Sequence, residues 1–340
     1  MRLRSTGRRN DVSHRILLFA ALLGTSLPGA ARSDELITLR YGQNAAGAAG
    51  LSSLPLTVAQ RKGFFVREGI NLVVVPIAGG TDRIVAALDK GEIDAGKNAT
   101  PYLIQAVLKG SDAVAIMSQT SNPVYSLMGR LDIKTFADLK GQTLGLSTPG
   151  DTITLSTLRL LALKHLKMTD FTTKVVVGTS ARFQCLRSDE CAAVPMGQPE
   201  DLAAIKEGFP RLAFTYEAGA DLLFNVDMTR RAFGEKNKDT LVRFARAMGA
   251  AYAFMNDPSN REDVTRIVME TGGVSGPVAA EIFAPYLQPD KNVLPRKGEL
   301  DLAAFDRVLA LMAQVGAIPS PAPGAERFVD LQYAKAAGIQ

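Results

Sequence analysis

Side chains able to perform acid–base, nucleophilic or metal chemistry are few among the 340 residues. Of the two histidines, His165 stands late on a predicted helix, where a packing or solvent-facing role is expected. The two cysteines, Cys185 and Cys191, have no histidine near them in the sequence. No Gly-x-Ser-x-Gly turn, zinc-ligand spacing or catalytic set with a histidine can be assembled. The sequence therefore predicts no enzyme activity, no metal site and no cofactor.

Neutral hydrogen-bonding side chains, in contrast, are concentrated in loops that follow predicted strands. Loops at the carboxyl ends of parallel strands converge, and helices that start there direct unpaired backbone N–H groups into the same space. Neutral donors and helix N-termini can hold an anionic group without a full counter-charge. The residues predicted to bind a ligand are Gln43, Asn44, Ser52, Gly80, Thr81, Asn98, Thr100, Asn122, Ser147, Thr148, Thr152 and Gln198.

Some of these positions also have a simpler structural explanation. Ser52, Thr81 and Thr152 each stand at the start of a predicted helix and can act as its cap. Lys97 can face either the ligand or solvent. Asp151, beside a helix start, can favour the helix dipole or bind a ligand amine. Capping and ligand binding are compatible roles, so both remain open at this point.

An internal repeat organises the elements that carry these loops. Residues 88–96 (LDKGEIDAG) lie over residues 186–194 (LRSDECAAV) when the chain is shifted by 98 positions, and Thr81 then lies over Thr179. Each copy predicts strands that alternate with helices, which is typical of a small parallel α/β lobe. Two matched lobes place the binding site in the cleft between them.

The pattern becomes mostly helical after about residue 225. Apolar residues at helical spacing predict two helices, and we expect these residues in the core rather than in a binding surface. The stripes are Leu241, Phe244, Ala245, Met248, Ala251, Tyr252 and Met255, and Leu302, Phe305, Val308, Leu309 and Met312.

If these helices pack onto the first lobe, that lobe is formed by two separate segments of the sequence. The first lobe is predicted to comprise residues 32–124 and 226–340, and the second lobe residues 125–225. The chain then crosses between the lobes near residues 122–126 and 220–226. Two crossover strands of this kind form a hinge.

The amino terminus has the order of a secretory signal peptide. Residues 1–15 are basic and polar, residues 16–27 are almost wholly apolar, and small residues precede a cleavage site after Ala31. The apolar segment is shorter than the roughly 20 residues that a spanning helix needs. Residues 1–31 carry five Arg and one Asp, so they hold +4 of the formal net charge of +5. The remaining chain is almost neutral, which gives no support for nucleic-acid binding.

The predicted export affects which oxidation state is expected for the two cysteines. In an oxidising compartment an isolated pair such as Cys185 and Cys191 favours a disulfide. The repeat places them over Ala87 and Ile93, both apolar, so two buried free thiols are the alternative. No cysteine lies near the cleavage site, so a lipid anchor is not expected and the periplasm is the predicted location.

A family resemblance is carried by residues 54–75 (LPLTVAQRKGFFVREGINLVVV), by Gly79-Gly80-Thr81 and by residues 88–96. With these segments the chain resembles the nitrate/sulfonate/taurine group of ABC-importer binding proteins, in the thiamine-pyrimidine-synthase-like superfamily. Similar segments continue through residues 136–141, 145–152, 192–201 and 328–333, so the likeness covers nearly all of the chain after residue 31.

The resemblance implies the type II periplasmic binding protein fold, with two Rossmann-like α/β lobes joined by two crossover strands. It implies a monomeric, non-membrane protein that binds a small molecule and delivers it to an ABC permease and its ATPase. A small organic anion is the expected ligand, with an aliphatic sulfonate or carboxylate ahead of nitrate. A neutral or aromatic compound remains open as an alternative ligand.

Two other functions remain open. One is an enzyme of the same fold, such as a dehydratase or a pyrimidine synthase; the latter relies on a cysteine-rich motif and a reactive histidine, and the sequence has neither. The other is a periplasmic sensor input, which the sequence does not separate from transport.

Overall fold

The computed structural model describes residues 35–45, 53–78, 81–218 and 222–339. The predicted signal peptide and the predicted site residues Ser52 and Gly80 lie outside these ranges. Among the helices of the described ranges, none combines the length and the apolar character that crossing a bilayer requires.

Ten strands of the described residues form two five-stranded sheets. The strands are β1 (Ile37–Asn44), β2 (Ile70–Ile77), β3 (Ala95–Ala99), β4 (Ala113–Thr120), β5 (Tyr125–Gly129), β6 (Thr143–Leu146), β7 (Thr172–Val175), β8 (Ala193–Gly197), β9 (Arg211–Phe214) and β10 (Asn225–Arg230).

The helices of the same residues surround these sheets. They are α1 (Leu54–Arg61), α2 (Phe64–Arg67), α3 (Asp82–Asp89), α4 (Thr100–Leu108), α5 (Thr152–Leu163), α6 (Thr179–Arg187), α7 (Glu200–Lys206), α8 (Arg231–Lys236), α9 (Lys238–Asn256), α10 (Arg261–Gly272), α11 (Gly276–Phe283), α12 (Leu302–Gln314) and α13 (Gln332–Ala336).

The two sheets share one plan. The strand order is β2-β1-β3-β10-β4 in the first sheet and β7-β6-β8-β5-β9 in the second. In each sheet the first three strands are parallel and the fourth is antiparallel to both of its neighbours. The expectation of purely parallel lobes is therefore wrong for one strand per sheet. That strand, β5 or β10, arrives from the other sheet at the edge where the parallel strands end, so it must run away from that edge.

The chain passes between the sheets twice. It leaves the first sheet after β4 and enters the second at β5, and it returns from β9 to the first sheet at β10. The predicted two-lobed α/β fold with two crossover segments is confirmed. The exact lobe boundaries stay a prediction.

Each sheet is covered by helices on both faces, as its apolar residues require. On one face of the first sheet, Leu39, Tyr41 and Ile70 share a core with α1, α9, α10 and α11. On the other face, α3, α4 and α12 form a second core around Leu88 and Phe305. The second sheet likewise separates two smaller cores.

The apolar stripe predicted between Leu241 and Met255 lies entirely in the core, since all seven of its residues are buried on α9. Phe244 stacks between the rings of Tyr41 and Phe65, with 5.7 Å between centroids on each side. The stripe on α12 is also buried, apart from Leu302. Leu302, the first residue of the helix, is 43% exposed. Its assignment to the core was wrong.

Apolar spacing at Leu155, Leu158, Leu161 and Leu166 predicts a helix over residues 152–166, and the structure shows a shorter one. It ends at Leu163, and His165 adopts the left-handed conformation with φ of 63°. This turn reverses the chain so that Leu166 reaches the core, while His165 stays exposed. Histidine is among the side chains that adopt this conformation more often than most.

The two cysteines form a disulfide between the end of α6 and the start of β8. Their Cα atoms lie 5.3 Å apart, within the range that a disulfide spans without backbone movement. Both residues are buried, so the pair also fills the apolar positions that the repeat assigns to them.

Candidate functional site

A cavity of about 760 Å³ lies between the two sheets, where the parallel strands of both lobes end. We call it the cleft. From the first lobe it is lined by the ends of β1 and β3 and the starts of α3 and α4; from the second, by the loop after β6 and the starts of α5 and α6. Its residues are Asn44, Thr81, Asp82, Ile84, Lys97, Asn98, Ala99, Tyr102, Tyr125, Ser147, Thr148, Asp151, Ile153, Val177, Gly178, Thr179, Arg182, Phe224 and Asn225.

Five of the predicted ligand-binding residues line the cleft. They come from both lobes and are Asn44, Thr81, Asn98, Ser147 and Thr148. Gln198 lines a smaller cavity at the hinge, which adjoins the cleft. The structure thus brings together side chains that are more than 100 positions apart in the sequence, because both sets follow strands that end at one edge.

Four other predicted residues are described but do not line the cleft. Gln43 is buried behind it and accepts a hydrogen bond from Ser53 Oγ at 2.5 Å. Thr100 donates to the carbonyl of Phe224 at 3.3 Å, and Asn122 donates to the carbonyl of Lys291 at 2.9 Å. Thr152 is fully buried in the first turn of α5. Each of these side chains therefore faces the protein interior, although a sequence neighbour of Gln43, Thr100 and Thr152 lines the cleft.

The capping predictions also need correction. The residue that caps α5 is Asp151, whose carboxylate accepts from the backbone N–H of Ile153 at 2.9 Å. Thr152 is instead the first helical residue, and its hydroxyl is not the cap. Thr81 occupies the N-cap position of α3 without a side-chain capping bond. Its side chain lines the cleft, so its position favours the ligand-facing explanation.

Lys97 faces the cleft from β3 and is only 7% exposed. Its ammonium donates to Ser53 Oγ at 2.8 Å, and Ser53 in turn donates to Gln43. Burial lowers the pKa of Lys97 to about 8, and the negative charge of Asp227 partly offsets this effect. Lys97 is therefore a cation at neutral pH that is close to losing its proton.

Asp227 lies directly opposite Lys97 in the antiparallel pair of β10 and β3. It is fully buried, and it accepts hydrogen bonds from Tyr41 and, at 3.2 Å, from Gln119. Burial raises the pKa of the Asp227 carboxyl to about 7, against the hydrogen bond from Tyr41 and the charge of Lys97. Asp227, a second titratable group, thus stabilises the positive charge of Lys97 from the adjacent strand.

Arg182 supplies a cation from the second lobe. It lies on α6, is 1% exposed, and donates to the carbonyls of Pro195 (2.5 Å) and Val176 (3.2 Å) and to Thr179 Oγ1 (3.3 Å). Within the described residues no carboxylate lies within ion-pair distance of it. Burial lowers the pKa of Arg182, but a guanidinium remains charged at neutral pH. The backbone carbonyls therefore hold the guanidinium at the wall of the cleft, and they do not neutralise its positive charge.

The carboxylate in the wall of the second lobe is Asp151. Besides capping α5, it accepts from Ser147 Oγ at 2.8 Å and from the Tyr102 hydroxyl at 3.3 Å. These bonds use the acceptor capacity of the carboxylate within the protein. Asp151 therefore holds Ser147 and Tyr102 in place across the two lobes, which fits the helix-dipole explanation better than an amine-binding role.

Aromatic rings complete the cleft. Tyr125 and Phe224 meet edge to face with 6.1 Å between centroids, at the crossover segments. The Arg182 guanidinium lies 5.9 Å from the centroid of the Tyr125 ring. Burial raises the pKa of Tyr102 to about 12, so this phenol stays protonated and can donate a hydrogen bond. The cleft thus combines two cations, two carboxylates (Asp82 and Asp151), neutral donors and aromatic walls.

Sequence reasoning missed Arg182, Tyr102 and Tyr125. The repeat contained a signal for the first, because Thr179 was matched to the predicted site residue Thr81 and lies three positions before Arg182. Tyr102 and Tyr125 stand inside a helix and a strand, where a ring is ordinarily a core residue. Among the described residues, no cluster of acidic, histidine or cysteine side chains could hold a metal ion.

A second groove, of about 800 Å³, lies on the surface between α5 and α12. It is lined by side chains such as Leu158, Met168 and Leu311, and it receives no strand ends. Within the described residues, strand ends and helix N-termini from both lobes converge at the cleft and not at this groove, so the cleft is the better candidate site.

The model of the NMT1/THI5-like family matches residues 51–260, which is more than half of the chain. The chain belongs to this family. The predicted resemblance is therefore confirmed at the level of the family.

Curated relatives of this NMT1/THI5-like protein match it over part of their length. A protein of Haemophilus influenzae named for thiamine biosynthesis is 31% identical over 139 residues, which are 40% of this chain and 42% of the relative. The 4-amino-5-hydroxymethyl-2-methylpyrimidine phosphate synthase of Schizosaccharomyces pombe is 28% identical over 95 residues, or 27% of each chain. The chain thus spans less than half the length of these relatives.

Solved structures match over almost the whole fold. The aliphatic sulphonate binding protein SsuA of Escherichia coli aligns with a TM-score of 0.69 and 20% identity, covering 87% of this chain and 99% of SsuA. SsuA of Xanthomonas axonopodis pv. citri, bound to MOPS, gives 0.67 and 18%, covering 86% and 98%. The nitrate-binding protein NrtA of Synechocystis gives 0.64 and 17%, covering 90% and 86%. At these identities the match shows the periplasmic binding protein fold.

Proposed function

We propose that this NMT1/THI5-like protein is the solute-binding component of an ABC importer, which captures a small organic anion in the cleft and delivers it to a permease. The observation that carries this proposal is the pair of buried cations, Lys97 and Arg182, which face one cavity from opposite lobes. An anion that contacts both cations is bound more tightly when the lobes are closed. Differential affinity of this kind is what drives closure.

The cleft also fits an organic rather than a simple inorganic anion. Its volume of about 760 Å³ lies in the range of small-molecule sites, and Ile153, Val177 and Phe224 supply apolar wall. The solved relatives whose names mention alkanesulfonate or nitrate binding support an anionic ligand. We favour a sulfonate or carboxylate with an organic body that covers these walls.

An enzyme of the pyrimidine-synthase type is the second candidate function, because the curated relatives carry such names. The described residues argue against it. His165 is exposed at the end of α5, outside the cleft, and both cysteines are joined in a disulfide. A binding role needs no such groups, so we place it first.

The proposed location is the periplasm, after removal of residues 1–31, with lobes of residues 32–124 plus 226–340 and 125–225. A hinge at the two crossover segments would let these lobes close. The permease and its ATPase are the proposed partners, and the protein is proposed to act as a monomer.

A ligand screen tests this proposal. The purified protein is mixed with sulfonates, carboxylates, nitrate and pyrimidines, and its thermal unfolding is followed. A ligand that binds only the native state raises the apparent stability, by about 2.7 kcal/mol at a concentration of about one hundred times Kd. Stabilisation by organic anions supports the proposal. Turnover of a pyrimidine precursor, or no response to any anion, contradicts it.

A further inference from the structure

The groove between α5 and α12 is separate from the cleft, since the two spaces have no lining residue in common within the described ranges. We call it the surface groove. Its floor is apolar: Leu155, Leu158, Leu166 and Phe171 come from α5 and the segment after it, and Leu311 comes from α12. Helix α5 contributes to a core of the second sheet, and α12 contributes to a core of the first. Both lobes therefore supply side chains to this floor.

Two further apolar side chains line the surface groove and are open to solvent. Met168 is 58% exposed, and Val315 is 38% exposed. A single exposed apolar side chain is ordinary on a protein surface, but these two line the same groove as the apolar floor. Apolar surface that is grouped in a groove and accessible to solvent is typical of a binding site.

The charged side chains of the surface groove are basic. Arg159 on α5, Lys167 after it and Arg307 on α12 line the groove, and none of its lining residues in the described part of the chain is acidic. The cleft, in contrast, is lined by two carboxylates. Arg307 also pairs with Asp301 at 3.5 Å, but both side chains are partly exposed, and ion pairs of this kind are weak. The surface groove therefore suits an anion with an apolar body.

The size of the surface groove favours a small molecule over a protein partner. Its volume of about 800 Å³ lies within the range of small-molecule sites, which is about 300–1,000 Å³. Fourteen of the described residues line it. A stable protein–protein interface uses about 20–30 residues on each side. The groove is therefore small for a protein interface and large enough for an amphiphilic anion.

We propose that the surface groove is a second binding site, which holds an organic anion with an unbranched alkyl chain, such as an alkanoate or an alkanesulfonate. The chain lies on the apolar floor, and the acidic group lies at the basic side chains, where an arginine can hold it with two parallel hydrogen bonds. Short anions bury little apolar area there and should bind it weakly. This inference goes beyond the proposed function, because it uses no residue of the cleft.

Titration calorimetry tests this second site. It gives Kd and the number of sites for octanoate, decanoate and dodecanoate, each below the concentration at which micelles form, and for octanol as an uncharged chain of equal length to octanoate. In the unaltered protein, one site per molecule should bind the alkanoates about two- to fourfold more tightly for each added methylene. Octanol should bind this site about tenfold more weakly than octanoate, because it lacks the charged acceptor.

Two double variants locate the site. Met168→Glu/Val315→Glu places negative charges in the surface groove at exposed positions and should remove one site per molecule. Val66→Glu/Leu131→Glu makes the same change at exposed apolar positions outside the groove, and the number of sites should stay unchanged. If the groove variant does not fold, Lys167→Glu/Arg307→Glu replaces it with the same expected loss.

Several results would overturn the inference. They are a number of sites that the groove variant leaves unchanged, an equal loss in the control variant, and octanol binding as tight as that of octanoate. Light scattering gives the oligomeric state, and a dimer that only the groove variant abolishes would assign the groove to a second copy of the chain instead. Lys97→Met should lose a site in the cleft and keep the site in the surface groove, so failure of this inference is distinguishable from failure of the proposed function.

Discussion

The two lobes are built on the same strand order, but they bring positive charge to the cleft by different routes. In the first lobe the cation is Lys97 on β3, whereas the residue that the repeat matches to it is Pro195 on β8. In the second lobe the cation is Arg182 on α6, which the repeat matches to Ile84 on α3. All of these except Pro195 line the cleft.

Arg182 nevertheless reaches the position that corresponds to Lys97. Its guanidinium donates to the carbonyl of Pro195, at 2.5 Å. The longer arginine on the neighbouring helix thus brings its charge to the same strand position that carries the lysine in the first lobe. The positive charge therefore lies at the same strand position in both lobes. A residue of the strand itself supplies it in the first lobe, and a residue of a neighbouring helix supplies it in the second.

The support behind the two charges also differs. Burial lowers the pKa of Lys97 to about 8, although the negative charge of Asp227 in the adjacent strand raises it, so Lys97 can lose its proton just above neutral pH. Arg182 is held by carbonyls and a hydroxyl and does not titrate in this range. We therefore expect the first lobe to respond to pH and the second lobe to give constant attraction. The following predictions test this comparison.

The largest effect is expected from removing either cation. Lys97→Met and Arg182→Met should each weaken binding of an organic anion about ten- to hundredfold, because each removes a charged hydrogen-bond donor from a buried site. Calorimetric Kd values measure the change. Lys90→Met and Arg187→Met, at exposed positions of the same lobes, are the controls. Unchanged Kd in one of the cleft variants would show that the clamp is one-sided.

A second difference between the lobes is the disulfide, which replaces Ala87 and Ile93 of the first lobe. Cys185→Ala/Cys191→Ala removes a cross-link that closes a short loop and should lower the free energy of unfolding by about 2 kcal/mol. Denaturant unfolding measures this loss. Kd should stay unchanged, since neither cysteine lines the cleft. A large loss of affinity would show instead that the disulfide positions Arg182 on the same helix.

The pH dependence separates the two cations. Lys97 carries its charge below its pKa of about 8, so the affinity for an anion should fall as pH rises from about 7 to about 9. Asp227→Asn removes a charge that raises this pKa, so the midpoint should move to lower pH. Asp227, with a pKa of about 7, also titrates near this range, so Kd should be flat only in the double variant Lys97→Met/Asp227→Asn, which removes both groups. A midpoint that persists in that variant would assign the titration to another group.

The smallest effects are expected from the neutral donors. Thr81→Val in the first lobe and Ser147→Ala in the second should each weaken binding about two- to tenfold, as the loss of one hydrogen bond does. Kd values from calorimetry compare the two. Ser147 also holds Asp151, so unfolding of both variants is measured as a control. If only one substitution weakens binding, the ligand does not contact both Thr81 and Ser147.

The fold was largely predictable from local pattern. Helical spacing located α9 and its buried stripe, and the repeat predicted two lobes of related plan. The antiparallel direction of β5 and β10 was missed, because strand direction depends on where the chain re-enters a sheet and not on the residues of the strand. The early end of α5 was missed because apolar spacing continues to Leu166 although the backbone turns at His165.

The sequence alone located several of the loops that reach the cleft, since these follow strands and precede helices with recognisable signals, but it did not predict the loop of residues 177–179. It did not determine which side chain in each loop faces the ligand, because adjacent residues point in opposite directions: Asn44 faces the cleft and Gln43 does not, and Asp151 faces it while Thr152 does not. Only the tertiary structure brought Arg182 to the same cleft as Lys97. The charge at the cleft depends on how far the Arg182 side chain extends from its helix and on which carbonyls hold it there. Neither the distance nor these contacts can be read from the order of the residues.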